Sequence, residues 1–464
     1  MRTLVILSSV LILTFLFACS NQTSSKPNFI VIFCDDLGYG DIGCFGSTVH
    51  RTPNIDSIAE NGMRLTSFYS TSGVCTPSRA SLMTGCYPRR VNMHQDHNEL
   101  CVLFPVGKKG LNPDEVTLAD VLQQAGYATA CIGKWHLGDQ PEFLPTRQGF
   151  DYYYGIPYSN DMGTNQGPDR PPLPLLRNDN VIEAPVEQTT ITRRYTKEAV
   201  AFIEQHKDEP FFLYVPHTMP HNPLHASEQF RDQSANGRYG DAVEEIDWSV
   251  GEIVKTLKAL NLEQKTLVLF TSDNGAAQRW GGSNGPLRGW KGSTWEGGQR
   301  VACVVQWPEQ IPAGTKAAAL TSTMDVLPTF TTLAGASQPS HVIDGKNIMP
   351  ILRDASDESP HEAFFYYQMG QLQAVRSGVW KLHLPLSDKK RNWGPGEGPQ
   401  ELQLYNLADD IAESHNVANA HPEIVERLLK SAQGARQGLG DLDTAGQQQR
   451  PAGWVETPQP LLLK

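Results

Sequence analysis

Short, unbroken apolar runs recur along this chain, and each is followed at once by polar, charge-bearing residues. Asn28–Cys34 is apolar and β-branched, the pattern of a strand buried on both faces, and it runs into Asp35-Asp36. Ala128–Ile132 repeats the pattern ahead of Lys134, residues 211–215 lead to His217 and His221, and residues 266–271 lead to Asp273-Asn274-Gly275. Helical periodicity fills the intervals. Thr52 and Pro53 ahead of residues 54–60, with Gly62 behind, read as N-cap, first-turn proline, helix and C′ glycine; residues 118–125 stop at Gly126; residues 241–260 form a long amphipathic helix. Strands alternating with helices predict an α/β domain with a mainly parallel central sheet flanked by helices. In such sheets ligands bind beyond the carboxyl ends of the strands, where these charged residues fall.

The pattern changes from about residue 354. Residues 373–384 and 403–407 are strand-like and residues 422–433 helical, which predicts a smaller C-terminal subdomain of antiparallel sheet and helix over 354–464, behind a catalytic domain over 27–353. Residues 166–190 are proline-rich and aperiodic, and read as a surface excursion. With 39% hydrophobic and 19% charged residues in 464, the chain has ample material for a core. Its formal net charge of -11 argues against a nucleic-acid surface, so an anionic substrate has to be met by a local basic pocket. Residues 1–19 place Arg2 before a charge-free, largely apolar run that ends at Cys19, the layout of an export signal. Leu16-Phe17-Ala18-Cys19 fits a bacterial lipoprotein box in which Cys19 is lipidated; a plain signal peptide cleaved near Ala18 is the alternative, and residues 20–26 form a polar tether in either case. The eight cysteines show no regular spacing and no C-x-x-C, so neither a zinc site nor a disulfide framework is expected.

The most specific chemistry lies in Cys75-Thr76-Pro77-Ser78-Arg79, which continues into Ala80-Ser81-Leu82-Met83-Thr84-Gly85. A cysteine followed by x-Pro-Ser-Arg is the substrate pattern of the enzymes that make formylglycine. An aldehyde at position 75 hydrates to a gem-diol, giving one hydroxyl to attack sulfur and a second to expel sulfate, a pair that unmodified Cys or Ser lacks. Pro77 ends the extended approach, so the expected helix over 78–85 turns its N-terminal amides toward an anion and Arg79 can fork onto the oxygens of residue 75. Asp35-Asp36 and Asp273-Asn274 supply hard oxygen ligands from two strand ends, a set that suits Ca²⁺ better than a metal seeking nitrogen and sulfur.

Further blocks accompany these: Pro27-Asn28 with Asp35-Asp36-Leu37-Gly38-Tyr39-Gly40-Asp41, Gly133-Lys134-Trp135-His136-Leu137-Gly138, Ile156-Pro157-Tyr158-Ser159, Thr271-Ser272-Asp273-Asn274-Gly275 and Lys291-Gly292-Ser293-Thr294-Trp295-Glu296-Gly297-Gly298. In this order and with the Cys75 block they resemble the type I, formylglycine-dependent sulfatases of the alkaline phosphatase superfamily, in particular the arylsulfatase A and galactosamine-6-sulfatase groups. The resemblance implies hydrolysis of sulfate esters by S–O cleavage through a covalent sulfo-formylglycine, most naturally on sulfated carbohydrates such as galactose or N-acetylgalactosamine units. Carried over residue by residue, it implies that Asp35, Asp36, Asp273 and Asn274 bind Ca²⁺ with an oxygen of modified Cys75, that Lys134, Lys291 and Ser159 hold the sulfate, and that His136 takes the proton when sulfate leaves. His221 matches the histidine that faces the leaving group, with His217 as the competing choice. It implies a maturing enzyme as partner and, with Cys19, an exported periplasmic or outer-membrane lipoprotein whose membrane contact is its lipid anchor. Outside the shared blocks, His383 is placed to touch the sugar, residues 92–98 to line the pocket, and Trp280, Arg288 and Trp290 to offer rings beside basic groups. Two rival readings remain: a phosphatase or phosphodiesterase on the same fold, which normally carries Thr or Ser with transition-metal ligands, and a non-catalytic glycan-binding lipoprotein.

Overall fold

The computed structural model describes residues 26–164, 170–386 and 399–463. The stretch expected to be an export signal, Cys19 and all but the last residue of the expected tether lie outside the described residues. A ten-stranded sheet forms the body of the protein. In chain order its strands are β1 (Asn28–Cys34), β2 (Met63–Leu65), β3 (Ala128–Ile132), β4 (Tyr152–Gly155), β5 (Leu175–Arg177), β6 (Asn180–Glu183), β7 (Phe211–Pro216), β8 (Thr266–Ser272), β9 (Val304–Gln306) and β10 (Thr315–Ala317). Across the sheet they lie in the order β10-β2-β9-β8-β1-β7-β3-β4-β5-β6. The five central strands, β8-β1-β7-β3-β4, run parallel, and antiparallel pairs appear toward the edges.

Alternation along β1 divides the core. Phe29, Val31 and Phe33 point into one apolar cluster, and Ile30, Ile32 and Cys34 into the other. Helices α1 (Pro53–Glu60), α2 (Cys75–Thr84), α3 (Leu118–Gln124), α4 (Ile191–Gln205), α5 (Gly237–Ala259) and α6 (Val326–Leu333) cover the two faces. The cluster on Phe29 takes residues of α2, α3 and α6, and that on Ile30 takes residues of α1, α4 and α5. A second, antiparallel sheet of four strands, β11 (Phe364–Gln368), β12 (Gln371–Ser377), β13 (Trp380–His383) and β14 (Gln403–Asn406), packs under α7 (Pro422–Leu439). Its core is continuous with Tyr69, Tyr87, Leu320 and Met324 of the larger body.

Four local expectations are revised. The active-site helix starts at Cys75 rather than after Pro77; Val74 is its N-cap, and Pro77 sits in the first turn, where an amide hydrogen has no helical partner to lose. Gly62 is not a left-handed cap: α1 closes on Asn61, and a Cβ at Gly62 would stand 2.1 Å from the Val305 carbonyl oxygen, so β9 is what requires glycine there. Part of the supposed excursion over 166–190 is the β5–β6 hairpin, which extends the sheet. The strand-like run 373–384 divides into β12 and β13 around Gly378, whose φ of 57° makes the turn.

Candidate active site

The register of two strands brings the acidic pairs together. β1 and β8 pair residue for residue from Asn28 with Thr266 to Cys34 with Ser272, so both strands end level. Asp35-Asp36 and Asp273-Asn274 therefore emerge side by side, and the Asp273 amide donates to the Cys34 carbonyl while the Asp36 amide donates to Asp273 Oδ1 at 3.1 Å. Asp36 takes a left-handed φ of 66° to make this turn. The N-terminus of α2 closes over the pair, and Cys75 Sγ lies 3.3 Å from Asp35 Oδ1. Lys134, just past β3, meets Asp35, and Lys291, from the long loop after β8, meets Asp36. Lys134 Nζ is 2.5 Å from Asp35 Oδ2 and 3.2 Å from Ser159 Oγ, whereas Lys291 Nζ is 2.7 Å from Asp36 Oδ1 and 3.6 Å from Cys75 Sγ.

Arg79 has partners that its place in the motif did not announce. Its guanidinium donates to Asp273 Oδ2 at 2.7 Å and to the Lys134 carbonyl at 3.0 Å, and stands 3.7 Å from Asp35, so its partners are the carboxylates and the backbone rather than residue 75. Burial opposes ionisation of Asp35, but Lys134, His221, Arg79 and Lys291 outweigh it and hold the carboxyl well below its ordinary range. Asp273 is pushed up to about 7 by burial and by the charge of Asp35. Burial, then the Asp35 charge, drive the Cys75 thiol well above its ordinary value. An unmodified thiol in this place stays protonated and is a poor nucleophile.

His221 joins the cluster and His217 does not. His221 Nε2 lies 3.8 Å from Asp36 Oδ2, and its Nδ1 contacts two oxygens, Asn222 O at 2.6 Å and Asn160 Oδ1 at 3.1 Å, which makes Nδ1 the protonated nitrogen and turns Nε2 inward. His217 is wholly buried with no protein hydrogen bond to either ring nitrogen, and burial lowers it to about 4. His136, held at a φ of 61°, faces the Leu103 carbonyl through Nε2 at 3.0 Å; a carbonyl only accepts, so the proton is on Nε2 and the buried Nδ1 keeps its lone pair without a partner. Burial, with Lys134 and Arg79, keeps this ring neutral.

A hard cation fits the donors present. One ligand atom each from Asp35, Asp36, Cys75 and His221 lies within 4.8 Å of the others. Asn274 Nδ2 donates to Asp36, while its buried Oδ1 has no partner among the described groups. An orphaned amide oxygen beside paired carboxylates is the oxygen-rich set that Ca²⁺ takes. Asp273 stands at the edge of this group, its oxygens turned to Arg79 and the Asp36 amide.

The residues outside the shared blocks fare differently. His383 is buried, with Nε2 2.7 Å from Glu413 Oε1 and its ring 4.1 Å from Trp295, so it is held inside the subdomain junction instead of offered to a sugar. Arg288 likewise lies 3.7 Å over Trp295 and donates to the Glu413 carbonyl. Trp280 is 43% exposed, and Trp290 is half-buried. In the 92–98 stretch, His94 is buried against Arg89, and Lys109 takes the Gln95 carbonyl. Two contributors escaped sequence reasoning. Thr76 donates to the His136 carbonyl and accepts from the Leu103 amide, and Asn160 orients His221; their adjacency to Cys75 and Ser159 was the available signal.

The sulfatase family model matches residues 27–336, and a model of the C-terminal region of N-sulphoglucosamine sulphohydrolase matches residues 290–437. The chain is 37% identical to human arylsulfatase A, over 89% of this chain and 88% of that protein. It is 39% identical to mouse N-acetylgalactosamine-6-sulfatase, over 81% of this chain and 75% of that one. A structure solved in work on the metabolism of multiple glycosaminoglycans by Bacteroides thetaiotaomicron superposes with a TM-score of 0.78 at 30% identity, covering 89% of this chain and all of that one. A carboxylate pair, two lysines and a buried residue 75 at the carboxyl edge of an α/β sheet, in a chain with these relatives, establish that the protein belongs to the sulfatases, sulfuric ester hydrolases of the alkaline phosphatase superfamily.

Proposed function

We propose that this sulfatase removes sulfate from sulfated carbohydrates after export, working as a Ca²⁺-dependent enzyme with Cys75 converted to formylglycine by a maturing enzyme. The observation that carries the reading is the setting of Cys75: a thiol at the first turn of a buried helix, 3.3 Å from Asp35 and 3.6 Å from Lys291, which burial keeps protonated. Conversion supplies what the thiol lacks, a hydrated aldehyde with one hydroxyl to attack sulfur by S–O cleavage and another to release sulfate. Asp35, Asp36, Asp273 and Asn274 would hold Ca²⁺, which supplies positive charge against the sulfuryl oxygens.

The remaining chemistry belongs to side chains. Lys134 and Lys291, with the Ser159 hydroxyl, neutralise and orient the sulfate group in a protein whose net charge is -11. His221, as the imidazolium with Nδ1–H held by Asn222 and Asn160, donates its Nε2 proton to the leaving oxygen and returns to the neutral ring, since a sugar alkoxide is too basic to depart without a proton. His136 Nδ1, with its free lone pair, accepts the proton released at residue 75. Sugars are favoured as substrates by the glycosaminoglycan context of the structural relative and by the name of the N-acetylgalactosamine-6-sulfatase. A lipidated Cys19 would hold the enzyme at the bacterial envelope, where polymers are met. The test pairs two measurements on protein co-expressed with a maturing enzyme. Peptide mass should show residue 75 with its sulfur replaced by a carbonyl oxygen, and sulfate should be released from aryl and sugar sulfates far faster than phosphate from the matching aryl phosphate. Unmodified Cys75 in an active enzyme, or a preference for phosphate, would overturn the reading.

A further inference from the structure

Lys291 is the one cation of the cluster carried by a long loop, and the loop is gripped from the C-terminal subdomain. Glu413 reaches both ends of the stretch that contains it: its main-chain carbonyl accepts from Arg288 at 2.8 Å, and its Oε2 accepts from the Glu296 amide at 2.7 Å. Lys381, on β13, donates to the Thr294 carbonyl at 2.8 Å and to Glu296 Oε1 at 2.9 Å, and lies 2.9 Å from Glu413 Oε1. Gln373, on β12, accepts from the Thr294 hydroxyl at 2.9 Å. Trp295 is packed between the Arg288 guanidinium at 3.7 Å and the His383 ring at 4.1 Å. Lys381, His383, Glu413 and Glu296 are all at most 1% exposed, so these bonds form where water cannot replace them. On the opposite side the loop is tied to the body, by Lys291 N to Ala276 O and Gly292 N to Gly73 O, two residues before Cys75.

We propose that Glu413 and Lys381 are positioning residues for sulfate-ester hydrolysis, holding the 288–296 loop so that the Lys291 ammonium stays against Asp36 and residue 75. The role rests on the reading of Lys291 as a sulfate ligand. A buried carboxylate with its acceptors aimed at main-chain and lysine donors fixes backbone, and an ammonium displaced by an ångström loses most of its value to a sulfuryl group. His383 then serves as the donor that orients Glu413.

The experiment uses the full, matured, Ca²⁺-loaded enzyme and two readouts, kcat/KM on an aryl sulfate and the inhibition constant of inorganic sulfate; the second does not depend on how much of the sample is folded. Glu413→Gln should lower kcat/KM about tenfold and raise the sulfate inhibition constant several-fold. In a Lys291→Ala background the same change should alter either value by less than about twofold, because its effect runs through a lysine already absent. Should Glu413→Gln fail to fold, Thr294→Val cuts a separate tie without leaving a buried charge and should show the same non-additivity at about threefold. Losses that multiply in both backgrounds, or an unchanged sulfate inhibition constant in both Glu413→Gln and Thr294→Val, would overturn the positioning role. If Lys291→Ala alone leaves sulfate inhibition unchanged, the reading of Lys291 falls and this inference with it.

Discussion

His217 and His221 lie four residues apart, and burial separates their chemistry. His221 has an oriented Nδ1 and an inward Nε2 near Asp36, whereas His217 has two buried nitrogens without protein partners. His221→Ala should reduce turnover of sugar sulfates more than that of activated aryl sulfates, whose leaving groups need no proton, and His217→Leu should leave that ratio unchanged; rates on paired substrates decide it. His217 also makes a pH prediction. Its value of about 4 in the fold, against an ordinary 6.5, means the unfolded chain binds a proton that the folded one refuses. The stability this provides is present above 6.5 and lost as pH falls toward 4, by roughly 3 kcal/mol at most. Melting temperature should therefore fall less steeply over that window in His217→Leu than in the parent. Asn274 offers a cleaner probe of the cation than any carboxylate here, because its loss leaves no unpaired charge. Asn274→Ala should fold normally and need at least about tenfold more Ca²⁺ for half-maximal activity, read by titrating metal into the stripped enzyme.

Strand ends set the site, and their crowding fixes which residues can stand there. β3 delivers Lys134 and His136 through Gly133, which has a φ of 144° and where a Cβ would come within 1.9 Å of the Pro216 carbonyl oxygen at the end of β7. Both conditions require glycine. Gly133→Ala has to push the end of β3 off β7 and displace both side chains, so it should yield little soluble protein, and any folded fraction should lack activity. Expression yield and rates on the purified fraction check this. The start of α2 shows the same economy of space. Beginning the helix at Cys75 places the residue beside Asp35 while Thr76, one step on, ties down the loop that carries Leu103 and the backbone of His136.

The two parts of the molecule share one apolar cluster, in which Tyr69, Tyr87, Leu320 and Met324 meet Phe364, Tyr366, Leu372, Leu404 and Leu428. They also share the buried ionic group of Glu296, Arg300, Lys381, Glu413 and Arg376, the last bonded to Tyr69. Cutting the chain after residue 353 would expose this apolar surface and leave Glu296 without Lys381. Apolar surface returned to water forfeits about 25 cal/mol per Å², so a few hundred Å² removes a large share of the stability of any domain. The truncated protein should therefore be insoluble or show no cooperative thermal transition, measured by calorimetry beside the full chain.

Much of this was legible in the order of residues. The apolar runs that became β1, β3, β7 and β8 were plain because a central parallel strand is buried on both faces, and the residues after them had to fall at the carboxyl edge. Asp35, Asp36, Cys75 and Asp273 were marked by residue chemistry at strand ends and by the Cys-x-Pro-Ser-Arg pattern, whereas Lys134, His136 and Lys291 were named through the resemblance of their blocks to the family. What spacing could not supply was which groups face one another. Nothing near Arg79 in the sequence marks its bond to Asp273, 194 residues away. His383 read as a sugar contact, yet it is enclosed with Glu413 and Trp295. The β5–β6 hairpin was hidden in a proline-rich stretch because an edge pair needs only a few ladder bonds. Local sequence carries conformational preference and chemical type over a few residues; partner choice among buried charges depends on which surfaces remain to be covered once the sheets have formed, and that is settled by packing across the whole chain.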